Sequence, residues 1–559
     1  MSRWLVPVAI VVGSLTAGWL VFTYLLSPGG PFAWDEAAHA MRGVVIARDI
    51  HAGEGLAFLY DSYRQVYWPP VHAWLTAAAF LVMGPSTMAA RCVSLVAFVL
   101  LAPTLYVAGR MMAGRRGELA GAAAAALALT SPPLAAYAAL AMLELPALLA
   151  LALTVLVFIW LGRPGTPPPP RRHALLGLGI MLTYFTRSSY AIILLLAIAT
   201  TLLIKADFRP ARLITRENGY AALPIILLSI IWFAYPPKVA STWRALVGVP
   251  WGGPKAQGVN GLLFYPRALF HLSGSVWIFL LLLASVAAGW RARRDRNVIL
   301  LLVLIAIQFV IGTLHHTKLE RYLFPVLPAL YLLAGLAAAE WWGRLPNRGV
   351  PRVVAGAVLA SALALQLRSL VGSTREAPPT RPTEAILGYV AGLVRLTEPT
   401  LVLGTMDMHP GPPATDWHLV THGQLLAPTR AGSVFDVEFE RAATDRLRSV
   451  RAPNPLRDEI LHVLTRYDAG TATRSFYLGL PGAIDRSRFD AMLRRTLAGA
   501  TFGGVVVMTA LADTARYPLA FVAPSLQRCG LRHVSERSFA DASLRVDLYQ
   551  TLARPPGSR

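Results

Sequence analysis

The sequence predicts a polytopic α-helical membrane protein with about eleven spans and one α/β domain at its C-terminal end. Three observations predict it. Of 559 residues, 55% are hydrophobic and 15% charged, where soluble domains have about a quarter charged. The apolar residues gather in blocks of about 15 to 22, the length that crosses a hydrocarbon core about 30 Å thick. Breaks rich in arginine or proline separate the blocks, and after Gly372 the composition turns to mixed polar and apolar sequence.

The first span runs from Trp4 to Leu26. It exceeds the apolar stretch of about 7 to 15 residues in a signal peptide, and Ser27-Pro28-Gly29-Gly30 is no cleavage site, so it is expected to be retained. Arg3 before it places the N-terminus in the cytoplasm and the loop from Ser27 outside. Val71 to Met83 is too short to span and is assigned to the outer interface. Further spans are expected near 87–112, 119–140, 146–161, 174–190, 191–204, 220–236, 271–290, 298–314, 322–342 and 353–372. They put Arg115 and Arg116, the Arg163 to Arg172 loop with its proline run, Lys205 to Arg209, Arg291 to Arg294 and Arg344 to Arg352 inside.

Two domains follow from this map: a transmembrane part, 1–372, whose first outer loop is 27–86, and a soluble extracytoplasmic part, 373–559. The linker Thr374-Arg375-Glu376-Ala377-Pro378-Pro379 joins them. Beyond it, Ala385 to Leu396 reads as helix, and Thr400 to Gly404, Phe502 to Thr509 and Leu544 to Thr551 read as strands. The chain is thus expected to be integral to a cell membrane, with this domain outside.

A formal charge of +22 raises nucleic acid as a partner, but the arginines sit in breaks between apolar blocks. There they serve topology and anionic lipid headgroups, so membrane lipids are the expected partner and nucleic acid is not. Cys92 and Cys529 make neither a disulfide framework nor a metal cluster.

The sidedness rule gathers one set of polar residues at the outer face: Asp35, Glu36, His39, Glu144, Arg187, His315, His316, Lys318, Glu320 and Arg321. Asp35 and Glu36 suit the N-terminus of an amphipathic helix. They equally suit a general base that takes the proton of a weakly acidic hydroxyl. Glu144 is an acid in an apolar segment, where such a group is costly and is paired or functional. Arg187, Lys318 and Arg321 are outward cations against the positive-inside rule. They either snorkel to headgroups or clamp a phosphate. Glu144, His39, His315 and His316 admit a divalent metal ion or a substrate, although no metal-ligand spacing is present and no protein-only cage is expected. Asp407, His409, Asp416 and His418 read as a polar loop of the soluble domain.

Trp34-Asp35-Glu36 before a helix, Tyr67-Trp68-Pro69-Pro70-Val71-His72, Gly84 to Arg91, Leu143-Glu144-Leu145-Pro146, Phe185-Thr186-Arg187 and Thr317 to Pro328 form an ordered set. In that order the chain resembles the GT-C glycosyltransferases, in the branch of protein O-mannosyltransferases and lipid A aminoarabinose transferases, over roughly residues 1 to 345. The resemblance implies transfer of a sugar, with inversion, from a polyprenyl-phosphate-linked donor to a hydroxyl of a glycolipid, glycan or protein at the extracytoplasmic face. It implies Asp35 as base, with Glu36 beside it. Arg187, Lys318 and Arg321 would hold the donor phosphate. One departure stands out: the aminoarabinose branch has a basic residue directly before its Pro-Pro pair, where this sequence has Trp68. Aminoarabinose as the sugar is therefore not implied. A transporter or flippase of a lipid-linked substrate is the competing class, and it would show inverted repeats and midplane charges, which the sequence lacks. A scaffold of an envelope assembly is a third.

Overall fold

The computed structural model describes residues 4–26, 30–32, 34–63, 65, 68–163, 168–234, 238–239, 242–243, 258–315, 317–345, 360–361, 364–366, 368, 381–393, 400–405, 417–418, 473–478, 494, 503–511 and 519–551. They fall into two compact units. One comprises Met1–Gly29, Ser62–Leu75 and Arg91–Ala377, and the other Gly30–Asp61, Thr76–Ala90 and Pro378–Arg559. Part of the loop after the first helix therefore belongs to the same unit as the C-terminal segment.

The first unit is built from apolar helices: α1 (Leu5–Val21), α5 (Thr87–Met112), α6 (Gly117–Leu129), α7 (Pro132–Ala138), α8 (Glu144–Leu161), α9 (Ala174–Thr186), α10 (Ser188–Lys205), α11 (Arg216–Phe233), α12 (Gly258–Leu272), α13 (Val276–Arg291), α14 (Arg296–Leu314) and α15 (Val326–Arg344). Between α1 and α5 the chain forms α2 (Trp34–His51), α3 (Gly55–Tyr63) and α4 (Val71–Met83). Helix starts follow local chemistry. Thr215, Ser275 and Asp295 accept backbone N–H bonds at the heads of α11, α13 and α14, and Pro132 and Pro133 open α7.

Small residues let these helices approach closely, as in membranes generally. A Cβ on Gly335 of α15 would strike the Ala120 carbonyl oxygen of α6. Tyr331 of α15 donates its hydroxyl to Ser131 at 2.8 Å, a buried bond that locks α15 to the α6–α7 turn.

Among the described residues, six helices are long and apolar enough to cross a membrane, or up to eight if two bent pairs, 114–138 and 260–291, each count as one span. This is an integral membrane architecture; the count of six to eight covers the described residues and stands beside the expectation of about eleven. The expected span at 174–190 is interrupted at Arg187. It leaves α9 at 13 residues, about 20 Å at 1.5 Å per residue, short of the hydrocarbon thickness. The head of α11 carries Arg216, Glu217 and Asn218, which keeps it outside the six. Most of the expected span at 353–372, including its ends, lies outside the described residues.

In the second unit five strands form one mixed sheet: β1 (Thr400–Thr405), β2 (Thr473–Leu478), β3 (Gly504–Ala510), β4 (Leu531–Phe539) and β5 (Leu544–Thr551), in the order β2-β1-β3-β5-β4. β1 runs parallel to β2 and β3, and β5 antiparallel to β3 and β4. Leu544, Val546 and Leu548 alternate along β5 onto one face. With Val402, Val506 and Met508 they bury Ile386 and Val390 of α16 (Arg381–Leu393). A further helix, α17 (Leu519–Arg528), leads into β4. The same unit contains α2, whose buried stripe includes Ala37, Ala40, Met41 and Val44.

Candidate active site

Glu144 stands in the first turn of α8 and is completely buried. A lone carboxylate there would be prohibitively unfavourable, and the fold supplies two guanidinium groups to it. Arg187 comes from the break between α9 and α10, where the backbone is extended at φ −155° and ψ 110°. Its Nη1 lies 2.5 Å from Glu144 Oε1. The break serves this contact: releasing the helical geometry at one residue turns the guanidinium toward α8, while the Arg187 N–H still bonds the Thr183 carbonyl at 2.8 Å. Arg321 arrives from the 3-10 turn Glu320–Leu323 ahead of α15, its Nε 3.8 Å from the same carboxylate oxygen. Gln308 fixes that turn by donating to the Tyr322 carbonyl at 2.7 Å.

Tyr190 completes the cluster. Its ring lies 4.8 Å beneath the Arg187 guanidinium carbon and is buried. Sequence inspection passed over it, yet Tyr190 is three residues after Arg187 at the head of one helix, a spacing that places side chains on one face.

Lys318 takes a different place. It is buried, and its ammonium donates to three carbonyls at the end of α14: Gly312 at 2.9 Å, Thr313 at 2.6 Å and His315 at 2.7 Å. An ammonium has three N–H donors, so all of them are committed to capping this helix end. His315 turns its Nδ1 to the backbone of Thr317 and packs edge-on against Tyr322. His316 lies outside the described residues.

Asp35, Glu36 and His39 lie on the first two turns of α2, in the second unit. The positive end of the helix dipole favours the two carboxylates there. Glu36 and His39 are buried, and Asp35 is partly exposed. Of the soluble-domain polar residues, His418 is described beside Trp417, and Asp407, His409 and Asp416 lie outside the described residues.

Another group went unremarked in sequence. Lys238, after α11, is buried with its ammonium 3.3 Å from the Tyr63 ring centre and 3.2 Å from that of Trp232. Burial pushes its pKa down to about 7, and the two ring faces pull the other way by attracting the cation. Nothing in the local sequence announces this, because Tyr63 comes from α3.

Among the described residues, His533, Glu536 and Asp547 are close enough to share a metal ion. Arg545 occupies both oxygens of buried Asp547, at 2.7 and 2.9 Å, and reaches Glu536 at 2.7 Å. That chemistry is an ion-pair network across β4 and β5, with a guanidinium where a metal would sit. Glu144 likewise faces cations.

No protein-family model and no curated protein sequence matches the chain. Solved structures do. ArnT from Cupriavidus metallidurans in the apo state superposes with a TM-score of 0.59 at 14% identity, covering 98% of each chain. The same protein bound to undecaprenyl phosphate gives 0.57 at 14%, covering 99% of each. The fold is that of the GT-C glycosyltransferases. The archaeal oligosaccharyltransferase AglB from Archaeoglobus fulgidus, in complex with an inhibitory peptide and a dolichol-phosphate, superposes at 0.51 and 12% identity, over 100% of this chain and 76% of that one. The likeness to ArnT runs over 98 to 99% of this chain.

Proposed function

We infer that the protein is a membrane glycosyltransferase that moves a sugar from a polyprenyl-phosphate carrier to an acceptor hydroxyl at the extracytoplasmic face. One observation carries this: a buried carboxylate bridged by two guanidiniums at a helix break, in a fold that ArnT and AglB share and in which they are solved with polyprenyl phosphates. Planar guanidinium forks match phosphate oxygens, so Arg187 and Arg321 hold the donor phosphate and Glu144 sets their orientation.

Asp35 is the base. It takes the proton of the acceptor hydroxyl as oxygen attacks the anomeric carbon. The bond to the carrier phosphate breaks through an oxocarbenium-like state, inverting the configuration, and the departing phosphate keeps the bonding pair. Arg187 and Arg321 stabilise the charge that grows on that leaving group. The acceptor is a glycolipid, glycan or protein, and the C-terminal domain lies on its side of the membrane.

Transfer from a polyprenyl-phosphate-linked sugar by Asp35→Asn tests the assignment. We expect transfer to be abolished at normal membrane abundance. Full activity would refute Asp35 as base and move the test to Glu36. Mass spectrometry of envelope glycans and glycolipids from a deletion strain identifies sugar and acceptor. Accumulation of an unmodified lipid-linked substrate across the membrane, without covalent product, would instead favour a flippase.

A further inference from the structure

Trp417 joins the C-terminal segment to the residues around the helix bearing Asp35, and all the residues involved lie within the second unit. Its indole is buried between two rings of the chain before α5. Phe32, two residues ahead of α2, lies 4.8 Å away centre to centre at 53°, and Phe80 of α4 lies 5.7 Å away at 31°. Both rings are buried as well.

Those two rings hold α2 at two places. Phe32 fixes the chain where it enters the first turn, three residues before Asp35. Phe80 packs on the middle of the helix, where Gly43 lets α4 come so near that a Cβ would lie 3.1 Å from the Phe80 ring and still closer to Thr76. A single side chain from beyond residue 378 therefore braces both the entry of α2 and the helix packed along its back. Aromatic rings in tilted contact favour defined angles, which suits them to fixing orientation.

We propose that Trp417 is a positioning residue for transfer, and that the C-terminal domain sets the aim of the Asp35 carboxylate in addition to whatever it does for the acceptor. This rests on the reading of Asp35 as base. The effect is on geometry: displacement of a catalytic group by about 1 Å can cost about a hundredfold in rate. Losing one of several braces is smaller, so Trp417→Ala is expected to lower kcat about tenfold. The KM values for donor and acceptor should stay within about twofold, because the substrate contacts themselves are untouched. Trp417→Phe keeps a ring between Phe32 and Phe80 and should recover most of the rate.

The test combines those kinetics with hydrogen exchange on the full-length protein. In Trp417→Ala the amides of 34–45 should exchange faster, while those of β3 and β5 stay protected and show that the sheet is intact. Unchanged exchange in α2, an unchanged kcat, or a rise confined to the acceptor KM would each overturn the proposal. Asp35→Asn is measured alongside. If it stays active, the base assignment fails, whereas the bracing of α2 by Trp417 is still judged by exchange and by the Trp417→Phe rescue.

Discussion

Replacing Glu144 by glutamine separates a phosphate clamp from a merely structural ion pair. The change keeps the side chain's volume and one acceptor oxygen but removes the carboxylate that faces Arg187 and Arg321. Without ligand it leaves two cations facing a neutral amide, and breaking a buried pair in this way costs about 3 to 5 kcal/mol. The amide oxygen still lies against the Arg187 guanidinium, so the lower end, about 3 kcal/mol, is expected. With ligand the sign reverses. A phosphate on the far side of Arg187 stands about 5.5 Å from Glu144, the 2.5 Å ion contact plus about 3 Å for one charge-assisted bond. At an effective dielectric of about 20, the carboxylate repels a unit negative charge there by about 3 kcal/mol.

Relaxation and screening remove about half of that, leaving about 1.4 kcal/mol, or tenfold tighter binding. The assay is thermal unfolding of purified wild type and Glu144→Gln, each with and without polyprenyl phosphate, followed by titration for Kd. The variant should melt lower when empty and gain more from ligand, because stabilisation grows as the logarithm of ligand concentration over Kd. Equal or weaker binding in the variant would refute the clamp and leave the cluster a fold-stabilising pair.

Further expectations follow from the other buried polar groups and from the tight helix packing. Lys318→Met should lower stability by about 1 to 3 kcal/mol, since the carbonyls of Thr313 and His315 lose the ammonium and that of Gly312 keeps only the His315 N–H, while the donor KM stays unchanged; a raised donor KM would return Lys318 to the phosphate site. Lys238 has a pKa lowered to about 7, so the folded protein holds fewer protons than the unfolded chain between that value and the lysine reference of about 10.4. Its contribution to stability must therefore rise across that window and be least favourable below pH 7. Lys238→Met should flatten the pH profile and melt higher at pH 6, and a lower melting temperature there would mean that ring attraction outweighs burial. Gly335→Val should yield little folded protein by size-exclusion analysis, because its side chain meets the backbone of α6.

Much of the architecture was readable because membrane and sheet impose periodic demands. Block length located most of the long helices, and alternation located β5, whose Leu544, Val546 and Leu548 all face the core. β4 escaped because it is an edge strand: most of Leu531–Phe539 is exposed, so it carries no two-residue apolar rhythm. β2 is likewise an edge strand, six residues long with Arg474 and Ser475 inside it. Glu144 and Arg187 each stood out as a charge in apolar surroundings. Their pairing depends on α8 packing beside α9, a neighbourhood that spacing along the chain does not encode.

The outward cations show how far charge alone carries such an inference. By the positive-inside rule Arg187, Lys318 and Arg321 form one class, three anomalies to be explained together. Their donors divide them. Lys318 spends all three N–H groups on the carbonyls of Gly312, Thr313 and His315 at the open end of α14. The arginines have five donors each in a fixed fork, and their contact with Glu144 engages only one edge of that fork. A guanidinium can therefore hold a carboxylate on one side and a phosphate on the other, which an ammonium already committed to three carbonyls cannot. Residue type, more than the presence of positive charge, separates the three, and the helix break at Arg187 is what turns such a fork into the protein.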